Sequence, residues 1–307
     1  MCFIGRMSTI NFQDLKKEDK PVLDRCFASA YYENSHFNFP NFFMWREPYH
    51  VQWAEEDGVL YMTCEWENEL MAIQPFCDEE KWPEATAKII AHFEEQGRPL
   101  VFTGIEKGYA EFLQRDDGAD FEIEEDRDNW DYVYEAEKLI SLSGRKLHSK
   151  KNHLNAFRKL HPEAEYLSIT EDIITACKIE LNNWYKLRIQ DEPDDPFIGW
   201  ERKAILEVFD DFDYFKLKGG ALRLDNRIIA FTFGEPLNAD TAVIHVEKAD
   251  PNIRGAYPAI NQGFVEHAWS DMTYINREED MGHEGLRKAK ESYKPCKMIE
   301  KFNARRK

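Results

Sequence analysis

The sequence predicts an α/β (α+β) protein made of two successive halves, each a mixed, mostly antiparallel sheet covered by helices. Three observations carry this expectation. At 307 residues the chain passes the size at which a single hydrophobic core usually stops growing, and a 43% apolar, 14% aromatic composition can fill two cores. Strand pairs joined by a tight polar turn occur in both halves, at Glu67–Asn68 and at Asp225–Asn226. Each pair is followed by alternating helical and strand periodicity, which marks a duplicated supersecondary unit rather than a short tandem repeat. The halves are expected at 7–140 and 141–307.

In the first half, residues 1–6 read as an irregular leader before a more natural start at Met7. Phe37, Phe39, Phe42, Phe43 and Trp45 form an aromatic cluster that Pro40 keeps from being one long helix, so a packed loop or short helix is expected. Residues 59–64 and 70–75 read as a hairpin. Ala87, Ile89, Ile90 and Phe93 fall at helical spacing across 84–96, and the apolar run 100–103 suits a buried strand. A helix at 107–113, an acidic strand at 120–125 and an aromatic strand at 131–134 complete this half.

The second half opens on 143–160, where Leu147, Leu154, Phe157 and Leu160 share a helical stripe. Arg145, Lys146, Lys150, Lys151, Arg158 and Lys159 line the rest, and no acid interrupts them. Helices at 172–188 and 201–209 lead to strands at 214–217, 221–224 and 227–234. A strand at 242–247, a helix at 255–269, a strand at 274–276, a helix at 284–293 and a strand at 297–302 follow. Residues 213–304 thus form one α/β unit whose strand and helix order is that of an N-acetyltransferase-like fold. In that fold two neighbouring strands splay apart and admit the acyl arm of a ligand. The chemistry is expected where the strand ending at Glu247 gives way to Arg254–Gly255–Ala256.

Charge and composition narrow the function. The net charge of -18 belongs to the first part: residues 1–140 hold 31 acidic and 13 basic side chains, whereas 141–307 hold 27 of each. A neutral second half with local basic patches can approach phosphate that a uniformly acidic protein would repel. The six cysteines are scattered without a C-x-x-C pair, so neither a disulfide framework nor a metal site is expected. No stretch approaches the roughly 20 apolar residues of a membrane span, and a cytoplasmic protein is expected. Nucleophile-elbow, Walker-type and dinucleotide glycine loops are absent.

Segments 142–154 (LSGRKLHSKKNHL), 245–263 (HVEKADPNIRGAYPAINQG) and 274–295 (YINREEDMGHEGLRKAKESYKP) resemble the family typified by the C-terminal catalytic region of phosphatidylglycerol lysyltransferases. The resemblance covers nearly the whole chain, with 42–45 and 130–134 as weaker supports. It implies tandem GNAT-like (acyl-CoA N-acyltransferase) folds related to the Fem-type aminoacyltransferases. The run Gly285–Pro295 is similar to the family's G-L-x-x-x-K-x-x-[FY]-x-P segment and puts Lys290 on its functional lysine. The stretch Glu247–Lys248–Ala249–Asp250 before Arg254–Gly255 sits where the family carries an aspartate and an arginine near the acyl donor. Arg254–Gly255–Ala256–Tyr257 does not reproduce the R-x-x-G-x-G/A loop that holds the coenzyme A pyrophosphate in many acetyltransferases.

Acyl transfer needs an activated donor, a path for the acceptor's proton and donors for the tetrahedral oxyanion. Glu247 is the expected base or holder of an aminoacyl amine, unless it is a strand-end carboxylate paired with Lys248 or Arg254. Lys290 is expected to act with it, and Tyr293 to serve the oxyanion or leaving group. Lys248, Arg254, Gly255 and Lys294 form the expected donor or phosphate set, helped by backbone N–H groups of the helix starting at Gly255. Arg145, Lys146, Lys150 and Lys151 are a candidate tRNA or anionic-lipid surface, with a solvated helix face as the alternative. The co-substrate is expected to be aminoacyl-tRNA or an acyl-CoA, with no tightly bound cofactor. The acceptor is a small-molecule amine or hydroxyl, or a lipid. A non-catalytic sensor of an acyl or nucleotide ligand is the alternative.

Overall fold

The computed structural model describes residues 9–115, 121–191 and 195–307, so the leader 1–6, Cys2 and the first residue of the expected strand 120–125 lie outside it. The chain divides into two compact units. The first takes the residues up to Asn129 together with Glu300–Lys307 from the far end of the chain; the second is Trp130–Ile299.

In the first unit the strands β1 (Gln13–Asp14), β2 (Gln52–Glu56), β3 (Val59–Trp66), β4 (Glu69–Ala72), β5 (Val101–Glu106) and β6 (Phe121–Glu125) form one sheet. The strand Lys301–Arg306 is inserted between β5 and β6, antiparallel to both. Within this sheet only β4 and β5 run parallel among the described pairs. Glu67 and Asn68 both take positive φ, the left-handed pair that matches the twist of a two-residue hairpin. The helices are α1 (Lys20–Phe27), α2 (Phe39–Trp45), α3 (Trp82–Glu95) and α4 (Lys107–Arg115). The aromatic cluster is therefore a short helix: Asn38 caps it by accepting from Asn41 N at 2.9 Å, and Pro40 falls in its first turn, where no donor is lost. Ala85, Ile89 and Phe93 of α3 pack with Phe102 and Ile105 of β5 into the core of this unit.

The second unit contains β7 (Asp131–Glu135), β8 (Glu165–Ser168), β9 (Lys218–Leu224), β10 (Arg227–Pro236), β11 (Thr241–Ala249), β12 (Tyr274–Asn276) and β13 (Lys297–Ile299), ordered 13-7-12-11-10-9-8. Lys301–Arg306 of the first unit is β14. The helices are α5 (Ala136–Ser141), α6 (His148–Leu160), α7 (Glu171–Asp191), α8 (Pro196–Asp210), α9 (Phe212–Phe215), α10 (Ala256–Ala268) and α11 (Glu284–Glu291). One face of the sheet packs through Leu222, Ile229, Ile244 and Ile275 against Ile260, Phe264 and Val265 of α10, with α5 and α6 alongside. On the other face Phe231 stacks on Trp184 of α7 and meets Phe209 of α8 edge-on. Both units are thus mostly antiparallel sheets with helical cover, and the fold is a tandem GNAT-like one.

Three expectations change. The boundary moves from 140/141 to 129/130, because β7 hydrogen-bonds to β12 and β13 and so belongs to the second sheet. The single strand expected at 297–302 is two strands that serve different sheets. Residues 214–217 are not a strand: Phe212 and Phe215 bury themselves as the short α9, Lys216 ends it in the left-handed region, and β9 starts at Lys218. No helix of the described residues is long and apolar enough to cross a membrane.

Candidate active site

β11 and β12 run parallel and are paired only through Thr241–Tyr274, Ala242–Ile275 and Val243–Asn276. Beyond that point each strand is held by its other neighbour. β11 stays on β10 as far as the pair Ala249–Ala230. The segment after β12 stays on β7, where Arg277 N donates to Tyr132 O at 3.0 Å and Tyr132 N to Glu278 O at 3.1 Å. The two strands therefore splay, and side chains span the gap. His245 and Glu247 reach into the gap from β11, and Arg277 and Glu278 meet them from the segment after β12.

The splay is crossed twice. Glu247 Oε1 accepts from Arg277 Nη2 at 2.9 Å, and His245 Nδ1 lies 3.0 Å from Glu278 Oε1. Glu247 Oε2 accepts from Asn261 Nδ2 of α10 at 2.8 Å. The guanidinium of Arg277 lies 5.6 Å from the Tyr134 ring and 4.8 Å from the Tyr293 ring, and Lys150 Nζ approaches Tyr293 at 4.3 Å. Burial pushes the Tyr293 phenol up to about 12, although Arg277 pulls it down. Burial, then the charge of Arg277, lowers the Lys150 ammonium, against the attraction of Glu247. Burial also works against the Arg277 guanidinium, but Glu247 and the two tyrosines hold it raised. Three buried atoms at this carboxylate have no hydrogen-bond partner among the described residues: Arg277 Nη1, Asn261 Oδ1 and Oγ1 of Thr232, the cross-strand partner of Glu247. Buried polar atoms without partners are uncommon, and three of the eight such side-chain atoms among the described residues belong to the partners of Glu247.

Residues 29–305 match the model of a family described as phosphatidylglycerol lysyltransferase, C-terminal. The chain belongs to this family. A conserved protein of unknown function from Bacteroides thetaiotaomicron has a similar solved structure, with 34% identity, a TM-score of 0.91 and coverage of 97% of this chain and 100% of that one. L-PGS from Bacillus licheniformis is 15% identical with a TM-score of 0.62 over 94% of this chain and 92% of its own. FemX is 10% identical with a TM-score of 0.61 over 96% and 97%. These last two likenesses are likenesses of fold.

In this family member the expected residues separate. Glu247 and Tyr293 share the cleft through Arg277, and Lys150 joins them from the basic helix. Lys290 is buried beside the cleft rather than lining it. Its Nζ donates to Arg277 O at 2.6 Å and to Glu279 O, so the lysine holds the backbone that delivers Arg277 and leaves no free ammonium for a phosphate. Lys248 faces the opposite side of the sheet, where it pairs with Glu201 of α8 at 2.5 Å, as strand alternation requires. The alternative pairing of Glu247 with Lys248 or Arg254 gives way to Arg277 and Asn261.

The expected phosphate set is dispersed. Arg254 and Lys294 are exposed, as are Arg145, Lys146 and Lys151. Gly255 serves packing: at φ +91° a Cβ there would lie 2.8 Å from Phe157 Cβ and 3.0 Å from His153 O. Only a glycine lets α6 come this close to the start of α10. The first turn of α10 also offers few N–H groups, since Ala256 N donates to Ile253 O and Pro258 has none. Sequence reasoning missed Arg277, Asn261, Tyr134 and His245. Arg277 follows directly on the short strand that was recognised, and that adjacency was the one usable signal.

Proposed function

We propose that this chain is an aminoacyltransferase-type enzyme that moves an aminoacyl group from aminoacyl-tRNA to an amine or hydroxyl acceptor. The observation that supports it most is the oriented Glu247 carboxylate with the unpartnered Asn261 Oδ1 and Thr232 Oγ1 beside it and the unpartnered Arg277 Nη1 opposite. A carboxylate and two acceptors suit the ammonium of an aminoacyl group, and the guanidinium N–H suits its carbonyl oxygen. The family description, a lysyltransferase, agrees with such a donor. A coenzyme A arm suits the cleft less well, because entering the splay would break the Glu247–Arg277 and His245–Glu278 bridges.

The acceptor nitrogen or oxygen attacks the ester carbonyl of the donor, forming the new bond to carbon. Arg277 and the Tyr293 hydroxyl stabilise the oxyanion, and the proton lost by the acceptor passes by way of Glu247 to the departing ribose oxygen as the ester C–O bond breaks. Lys150 supplies positive charge close to the same oxyanion.

The test is transfer of radiolabelled amino acids from charged tRNA, lysyl-tRNA first, to phosphatidylglycerol vesicles and to a panel of soluble amines. Acetyl-CoA and longer acyl-CoAs form the rival arm. Glu247→Gln is expected to lower transfer by about 10²–10⁴-fold, the usual loss for a general base. Transfer from acyl-CoA alone would replace the donor. Binding of a donor with no transfer to any acceptor would favour the sensor, and neither binding nor transfer would remove the proposal.

A further inference from the structure

The pairing of β10 with β11 skips one residue: Phe233 faces Val246, Gly234 faces Ile244, and His245 has no partner across the ladder. This is a β-bulge, which turns its extra residue away from the regular alternation. It is firmly specified, because a Cβ on Gly234 would lie 2.0 Å from the carbonyl oxygen of Val243 and backbone atoms cannot yield that much. The imidazole so displayed is buried, with Nδ1 3.0 Å from Glu278 Oε1 and Nε2 3.2 Å from Glu235 Oε1. Two carboxylates on two ring nitrogens call for a ring that donates from both, the imidazolium. A neutral ring would turn a lone pair toward one carboxylate.

We infer that His245 is a positioning residue whose imidazolium ties β10, the bulge of β11 and the segment after β12 together, and thereby holds Arg277 against Glu247. Its functional consequence rests on the aminoacyltransferase reading. Glu278 follows Arg277 in the chain, so anchoring its carboxylate also anchors the backbone that carries the guanidinium. The charged groups around the imidazolium are Glu235 from β10 and Glu278 from the far side of the splay, with Glu247 two residues further along β11. Arg277, Glu279 and Lys290 lie beside Glu278. Burial alone would lower the His245 pKa, but the two carboxylates outweigh it and raise it to about 9. Burial holds the Glu278 carboxyl above its ordinary value, so protonation of that group opens the clamp on the acid side. Because the His245 value lies above that of an unfolded histidine, about 6.5, the histidine's contribution is otherwise fully present below about pH 6.5. Its contribution falls as pH rises through 9.

The experiment is a titration of the full chain with ¹⁵N-labelled histidine, the His245 signals being assigned by their loss in His245→Gln. His245 is expected to remain doubly protonated at pH 7–8 and to lose its proton near 9, and Glu278→Gln is expected to lower that midpoint. A neutral His245 at pH 7 would overturn the inference. In the transfer assay, His245→Gln and Glu235→Gln should lower kcat about tenfold or more and raise donor KM, because the groups that hold the aminoacyl ammonium and carbonyl are misplaced. Wild-type kcat in a folded Glu235→Gln variant with an unaltered histidine midpoint would also overturn it. If the wild type transfers nothing, the functional reading fails, while the titration still decides whether the clamp exists. The titration needs no variant to fold except for assignment, which Glu235→Gln can supply by shifting the same signals.

Discussion

Glu247 is aimed by two donors from different elements, Arg277 Nη2 and Asn261 Nδ2, so neither partner can be removed without turning the carboxylate. Arg277→Lys keeps the charge but loses the planar fork and the contact with the Tyr134 and Tyr293 rings. It is expected to reduce stability by about 1–3 kcal/mol, the scale for disturbing a buried, charge-assisted bond, as read by urea unfolding. Transfer should fall by more than stability does. The basic helix divides at the same scale: Lys150 is turned in over Tyr293 and Lys151 is exposed. Lys150→Met should lower kcat, whereas Lys151→Glu should raise the KM for charged tRNA and flatten its salt dependence without touching kcat. Equal effects of the two substitutions would refute this division.

Glycines at the element scale decide how close two segments come. Gly255→Ala sets a Cβ against Phe157 at a backbone angle that disfavours L residues. It should cost about 1–3 kcal/mol from overpacking and displace α6, so that kcat falls with stability. Gly285→Ala is the control on α11: nothing lies within 4 Å of the added carbon, and the helix should gain up to about 1 kcal/mol in urea unfolding. If both substitutions behave alike, α6 does not depend on the close approach at Gly255. Lys290 belongs to this scale as well, because it bonds the backbone at Arg277 and Glu279 and acts on the site by holding a segment.

For the whole molecule the decisive connection is β14. Lys301–Arg306 lies inside the sheet of the first unit although the preceding strand, β13, belongs to the second. Removing 300–307 should strip β5 and β6 of their shared partner. Amide exchange is expected to show lost protection across Val101–Glu106 and retained protection across Thr241–Ala249. Protection lost equally in both segments would show that the two units unfold as one.

The sequence alone determined the class of fold, most helices and the turns at Glu67–Asn68 and Asp225–Asn226. These follow from local periodicity and from residues that tolerate a left-handed backbone, which a short window of sequence contains. It also named Glu247 and Tyr293, which lie 46 positions apart and both contact Arg277 in the structure. What it could not supply was direction. Whether Lys248 joins Glu247 depends on which face of the sheet each occupies, and whether Lys290 is free depends on the carbonyls of a turn contributed by β12. The unit boundary and the split of 297–302 into β13 and β14 were hidden for the same reason. Strand alternation reads equally well in either sheet, and only long-range pairing chooses between them.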